Sequence, residues 1–152
     1  CIRDREKEHL TPREMDEVLN KKSGLLGISG VSSDDRDVTA ANQAGNPRAK
    51  LAQDILEYQI AKFIGGYMVA LGGCNAIVFT AGLGENQASH RMAVGKYLSY
   101  LGVKIDEALN EEMIHGREGK ISAPDSSIEV YVIPTNEELV IARDTRDLVE
   151  KL

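Results

Sequence analysis

Apolar residues recur at helical spacing through Ala52, Leu56, Ile60, Phe63, Tyr67 and Leu71. Asn46-Pro47 ahead of them reads as a cap and first helical residue, and Gly72-Gly73 as the stop. The pattern predicts one long helix packed on a sheet. The period then changes. Ala76-Ile77-Val78-Phe79-Thr80 is a continuous apolar run, as in a parallel strand buried on both faces. Gly82-Leu83-Gly84-Glu85-Asn86 follows as a turn, and a helix is expected to about Leu101, with Met92, Tyr97, Leu98 and Leu101 inward and Gly102 as its stop. Further on, Ile128, Val130 and Val132 alternate with Glu129 and Tyr131, a strand that reaches Ile133 and breaks at Pro134. Thr135-Asn136-Glu137-Glu138 reads as a capping box with Thr135 as cap. The final helix turns Leu139, Ala142, Leu148 and Val149 inward.

The N-terminal part is patterned less clearly. The first eight residues are charged and expected to be irregular. Thr11-Pro12-Arg13-Glu14 is another capping box, opening a helix with Met15, Val18 and Leu19 on its apolar face and an end near Ser23-Gly24. Residues 25–30, rich in Gly and Ser, are expected to form a loop or short extended piece that leads into a turn over 31–37. Strands alternating with helices predict α/β layering around a mostly parallel sheet. Two or three strands make a thin sheet, so further strands are expected from sequence absent here.

Composition narrows the classes. The chain has 152 residues, 42% hydrophobic and 28% charged, a globular balance that needs no disulfide staples. Its net charge of -6, with no block of basic residues, argues against nucleic acid as a partner. No apolar run approaches the ~20 residues that span a bilayer, and no membrane partner is expected. Cys1 and Cys74 form no metal-type spacing, and the expectation is reduced thiols in a cytoplasmic protein. The chain begins at Cys1 rather than Met, from which a fragment, processed product or trimmed chain is expected.

Three segments can carry chemistry. Phe79 to Asn86 is strand, glycine turn and helix, where a backbone can approach a nucleotide phosphate. A tight connection without a ligand has the same spacing, and both the Gly-Lys-Ser/Thr ending and a third glycine are missing. Asp34-Asp35-Arg36-Asp37 offers a flat guanidinium for a base or phosphate and carboxylates for an amine or ribose hydroxyl; a solvated charged turn looks the same. Asn136-Glu137-Glu138 offers a carboxylate for a hard cation such as Mg²⁺, against a plain helix N-terminus in which Glu138 serves the cap and Glu137 has no structural task. His9 reads as a tail residue, His115 as surface and His90 as solvated. Arg91 can reach an anion at the helix start or sit on the surface.

Taken together, the segments Leu19–Gly30, Ser33–Asp37, Val78–Asn86 and Ile133–Thr145 resemble, in order, motifs of the acetate kinase (acetokinase) family. The resemblance covers nearly the whole chain. It implies an α/β fold of the actin/hexokinase/Hsp70-like (ribonuclease H-like) type. Residues 1–152 would then be the C-terminal nucleotide-binding domain, with an incomplete sheet flanked by helices. It further implies that Asp34, Asp35 and Arg36 help form an adenine pocket and that Gly82, Leu83, Gly84, Glu85 and Asn86 pass beside the adenosine and its first phosphate. Glu137 matches a Mg²⁺-associated glutamate, and Arg91 a position with a supporting role. ATP/ADP and Mg²⁺ are the implied cofactors, acetate and acetyl phosphate the substrates of the intact enzyme, and a homodimer its state. The family usually has an apolar residue at position 35 and Ile at 83, so Asp35 is a departure that either changes nucleotide preference or points to solvent. The family's catalytic arginines, aspartate and histidine, its acetate pocket and an N-terminal Mg²⁺-associated asparagine lie upstream of Cys1. No catalytic residue maps onto this chain, and the expectation for the chain alone is negligible kinase activity. A propionate or butyrate kinase, or a non-catalytic nucleotide-binding or dimerisation module, fits the same residues.

Overall fold

The computed structural model describes residues 2–151, apart from the side chain of Glu137. The chain divides between Ile60 and Ala61 into two compact units.

The first unit is helical. The charged start forms α1 (Ile2–Lys7) where an irregular stretch was expected. The Thr11 capping box forms as read, with Thr11 N donating to Glu14 Oε2 at 2.8 Å and Glu14 N to Thr11 Oγ1 at 3.3 Å, and it opens α2 (Pro12–Glu17). A π-helical turn, Val18–Lys22, leads on to α3 (Gly24–Ser29). The helix α3 replaces the expected loop. Local propensity disfavours it, and tertiary contacts supply what propensity lacks. Leu25 and Ile28 pack on Val38, Ala49 and Ala52. Arg48 donates to Ile28 O at 2.8 Å and Gly27 O at 3.2 Å, satisfying carbonyls at the helix end. Next comes α4 (Asp35–Gln43), capped by Asp34, and then α5 (Pro47–Leu71), the predicted long helix.

The second unit holds the sheet. It contains the end of α5, β1 (Ala76–Phe79), α6 (Ala81–Asn86), α7 (Ala88–Tyr97), a 3-10 turn (Ser99–Leu101), α8 (Glu107–Glu112), β2 (Gly119–Lys120), β3 (Glu129–Val132) and α9 (Glu137–Val149). Strand order is β1-β3-β2. β1 runs parallel to β3 with Ile77 opposite Val130, as the α/β reading expected, and the short β2 pairs antiparallel. The core is Ile77, Val94, Leu98, Val103, Ile121, Ile128, Val130 and Val132, all buried.

Burial corrects several expectations. β1 is covered on one face only: Ile77 is buried, but Val78 is 49% exposed. On α5, Ala52 is buried, yet Phe63, Tyr67 and Leu71 are exposed. On α9, Leu139, Leu148 and Val149 are exposed rather than inward. Helical periodicity marks an apolar stripe, but it does not say whether the chain at hand supplies the surface that covers it. Among the described residues, no helix is long and apolar enough to cross a membrane.

Candidate functional site

Because β1 and β3 are parallel, their carboxyl ends open on the same side of the sheet. Ile133 N donates to Phe79 O at 3.0 Å, and just beyond it the two chains meet through side chains. The hydroxyls of Thr80 and Thr135 lie 2.6 Å apart, and Ala81 N donates to Thr135 Oγ1 at 3.2 Å. Thr135 N in turn donates to Glu85 Oε1 at 2.7 Å. A cleft of about 500 Å³ opens here, lined by Ala81, Gly82, Glu85, Gly116, Pro134, Thr135, Asn136 and Glu138. Ligands in open α/β sheets bind at such strand ends.

The turn into this cleft is made differently from the sequence reading. Thr80 is extended and Ala81 sits at φ 59°, the left-handed region. That conformation costs a residue with a Cβ about 1–2 kcal/mol, and backbone strain of this kind clusters at ligand sites. Ala81 therefore makes the sharp turn, and Gly82 to Asn86 are helical within α6 rather than a loop before a helix. The expected single helix to Leu101 is broken at Gln87.

The two glycines do different work. A Cβ on Gly82 would meet nothing within 4 Å, so its missing side chain leaves free space at the cleft. A Cβ on Gly84 would come 3.3 Å from the Phe79 carbonyl carbon, so Gly84 lets α6 press against the end of β1. Leu83 is half-buried. Asn86 donates to Gly82 O at 3.2 Å and accepts from His115 N at 3.1 Å, tying α6 to the loop before β2.

Thr135 is not the cap of α9. Asn136 takes that place, its Oδ1 accepting from Leu139 N at 3.0 Å, while Thr135 is held by Thr80, Ala81 and Glu85. Glu138 is correspondingly free of the capping-box task and lines the cleft. Glu137 opens α9, and its side chain lies outside the described residues.

The structure also revises the cationic and imidazole residues. Arg91 is completely buried, neither reaching an anion nor lying on the surface, and burial lowers its pKa. His90 is buried instead of solvated. His115 is exposed, as expected.

The remaining residues singled out from the sequence lie in the first unit. Asp34 Oδ1 accepts from Arg36 N at 2.9 Å, which caps α4, and both its oxygens accept from the Arg36 guanidinium at 2.5–3.2 Å. These bonds hold the Asp34 carboxyl at a pKa of about 2 and raise that of Arg36. Asp35 faces Thr39 and the buried Gln53, at 3.4 Å from each. Gln53 also bonds Thr39 at 2.6 Å and accepts from Asn42 at 2.7 Å. The departure at position 35 is thus linked to a polar network between α4 and α5. The structure brings Gly82, Glu85, Thr135 and Glu138 together in one cleft, with Thr80 bonded to Thr135, and Asp34 with Arg36 in one ion pair.

Comparison with known proteins agrees with the motifs. The model of the Acetokinase family matches residues 4–143. An acetate kinase of Thermotoga maritima is 55% identical over 148 residues, covering 97% of this chain and 37% of that protein. The crystal structure of Porphyromonas gingivalis acetate kinase superposes with a TM-score of 0.84 at 43% identity, over 95% of this chain and 36% of that one. A propionate kinase from Francisella tularensis gives a TM-score of 0.81 at 38% identity, over 91% and 34%. The chain spans about 37% of the length of the first of these relatives. These neighbours carry the actin/hexokinase-like α/β fold, and with the family match over most of its length this chain belongs to the acetokinase family.

Proposed function

We propose that the chain is the nucleotide-binding C-terminal part of an acetate kinase, whose intact form transfers the γ-phosphoryl group of ATP reversibly to acetate, giving acetyl phosphate and ADP. The observation that carries this reading is the cleft at the carboxyl ends of β1 and β3, with Ala81 left-handed and Gly82 open beside it, in a chain of the acetokinase family. Gly82 to Asn86 then run beside the adenosine and its first phosphate, and Asp34, Asp35 and Arg36 contribute to the adenine pocket.

The donor set fits Mg²⁺. That ion is held by one or two carboxylates together with substrate phosphates rather than by a full protein cage. Glu85 and Glu138 line the cleft, and among the described residues there is no cluster of three or more metal-type side chains. Glu137 is the residue assigned to it. When bound, the ion neutralises charge on the transferring phosphoryl group. In the transfer, the bond from the γ-phosphorus to its bridging oxygen breaks as an acetate oxygen bonds to that phosphorus. This chain supplies binding and orientation. The acyl pocket and the catalytic cations are assigned to the rest of the enzyme, so the chain alone is expected to be inactive. A cytoplasmic homodimer is the state that goes with this reading. Acetate is preferred over propionate or butyrate because the family model and the Thermotoga relative are acetate kinases.

Calorimetric titration of the 152-residue chain with Mg-ADP and Mg-ATP tests the reading. Arg36→Ala and Gly82→Val should each weaken binding about tenfold, ~1.4 kcal/mol. Gly82 is the informative glycine, since a side chain at Gly84 would meet Phe79 instead. Binding that neither substitution alters would place the nucleotide elsewhere.

A further inference from the structure

An arginine always carries its charge, and burying a charge without a partner is costly. Arg91 is completely buried in α7, and among the described residues none of its hydrogen bonds goes to a carboxylate. Its Nη1 donates to Gly84 O at 2.8 Å and Glu85 O at 3.0 Å. Its Nη2 donates to Asn110 O at 2.5 Å and Met113 O at 2.9 Å, and its Nε to Asn110 Oδ1 at 2.7 Å. A guanidinium has five N–H donors, and every one is used.

The acceptors have a common origin. Gly84 and Glu85 lie in the last turn of α6; Asn110 lies near the end of α8, and Met113 is its C-cap residue. Helix ends leave carbonyls without intrahelical partners and carry partial negative charge. Two such ends converge on one cation, and their carbonyls supply the negative charge that faces it among the described residues. Asn110 adds a second tie, its Nδ2 donating to Ala88 O at 2.8 Å.

We propose that Arg91 is the positioning residue of the cleft: by capping the C-terminal ends of α6 and α8 together, it fixes where Ala81, Gly82 and Glu85 stand against Thr135. It touches no ligand itself. Its effect on nucleotide rests on the function proposed above; its effect on the geometry of α6 does not. Lysine cannot replace it, having three donors and no fork.

Amide hydrogen exchange on the 152-residue chain separates positioning from general stability. Arg91→Lys is compared with Leu98→Ala, a core change that removes packing but none of the hydrogen bonds to either helix end. Arg91→Lys should lose at least tenfold protection over residues 82–87 and 110–116 while β1 and β3 keep theirs. Leu98→Ala should lose protection across the whole second unit. If Arg91→Lys does not fold, Asn110→Ala gives a graded version, with a smaller loss over the same two stretches. Unchanged protection there, or a loss spread evenly through the unit, overturns the proposal. In parallel, Mg-ADP affinity should fall about tenfold in the Arg91 or Asn110 variant and less than threefold in Leu98→Ala. A parent chain that binds no Mg-ADP would count against the proposed function, while the exchange pattern would still decide the role of Arg91.

Discussion

The hydroxyls of Thr80 and Thr135 lie 2.6 Å apart and join the carboxyl ends of β1 and β3. Thr135 also accepts the amide of left-handed Ala81 and donates its own amide to Glu85. One residue thus links both sides of the cleft.

Thr135→Val keeps the shape and removes the hydroxyl. We predict a loss of about 1 kcal/mol, the net worth of a typical hydrogen bond. Urea denaturation measures it. A variant as stable as the parent would show that the threonine pair holds nothing.

The glycines of α6 should respond oppositely to alanine. Gly82→Ala has room for its Cβ and should leave stability unchanged or raise it by up to about 1 kcal/mol through helix propensity. Gly84→Ala brings a Cβ to 3.3 Å from Phe79 backbone and should destabilise the chain by about 1–2 kcal/mol. Thermal melts of the two variants side by side decide it. Equal shifts would contradict the packing assigned to Gly84.

Low pH should act on the start of α4. Asp34 titrates at about 2 in the folded chain, below its usual 3.8, because Arg36 donates to it from side chain and backbone. A depressed carboxylate contributes stability that is complete above its ordinary value and lost as pH falls through the folded one. The contribution should therefore persist at neutral pH and fade between about pH 4 and 2. The Asp34 carboxyl carbon, followed by NMR, should show a midpoint near 2 that rises in Arg36→Ala. A midpoint near 3.8 in the parent would mean the ion pair does not form in solution.

Ser122 is 4% exposed, and its hydroxyl has no hydrogen-bond partner among the described residues. A buried polar group left unmatched costs about 1–3 kcal/mol. Ser122→Ala should raise the denaturation midpoint by the equivalent of about 1 kcal/mol. A lower midpoint would reveal a partner for the hydroxyl in solution.

Much of the fold was legible where the signal is local. The Thr11 capping box, the Asn46-Pro47 helix start and the alternation through Val130 and Val132 appear as read. Apart from the apolar stripes of α5 and α9, which the described residues leave exposed, the misses share a cause: long-range contacts overrode local pattern. α3 forms from Gly- and Ser-rich sequence because Arg48, about twenty residues on, satisfies its end. Thr135-x-x-Glu138 has the spacing of a cap, but Thr80, distant in sequence, draws Thr135 away. Ala81 turns the chain although glycine lies next to it. The place of the glycine segment at a strand end was legible; its helical form was not. Arg91 carries no sequence signal of burial, since its five acceptors come from residues 84, 85, 110 and 113.

The position of β1 has a practical consequence for handling the chain. β1 has β3 on one side and, among the described residues, no strand on the other. It reads Ala-Ile-Val-Phe, with neither lysine nor proline to act as a gatekeeper, and Val78 stands half in water. Such an edge offers unpaired backbone groups to a strand of another molecule, over the four residues of β1. The net charge of -6 opposes this only while ionic strength is low. Concentrated stocks in high salt should be the first to turn turbid, through four residues of backbone rather than through loss of the fold.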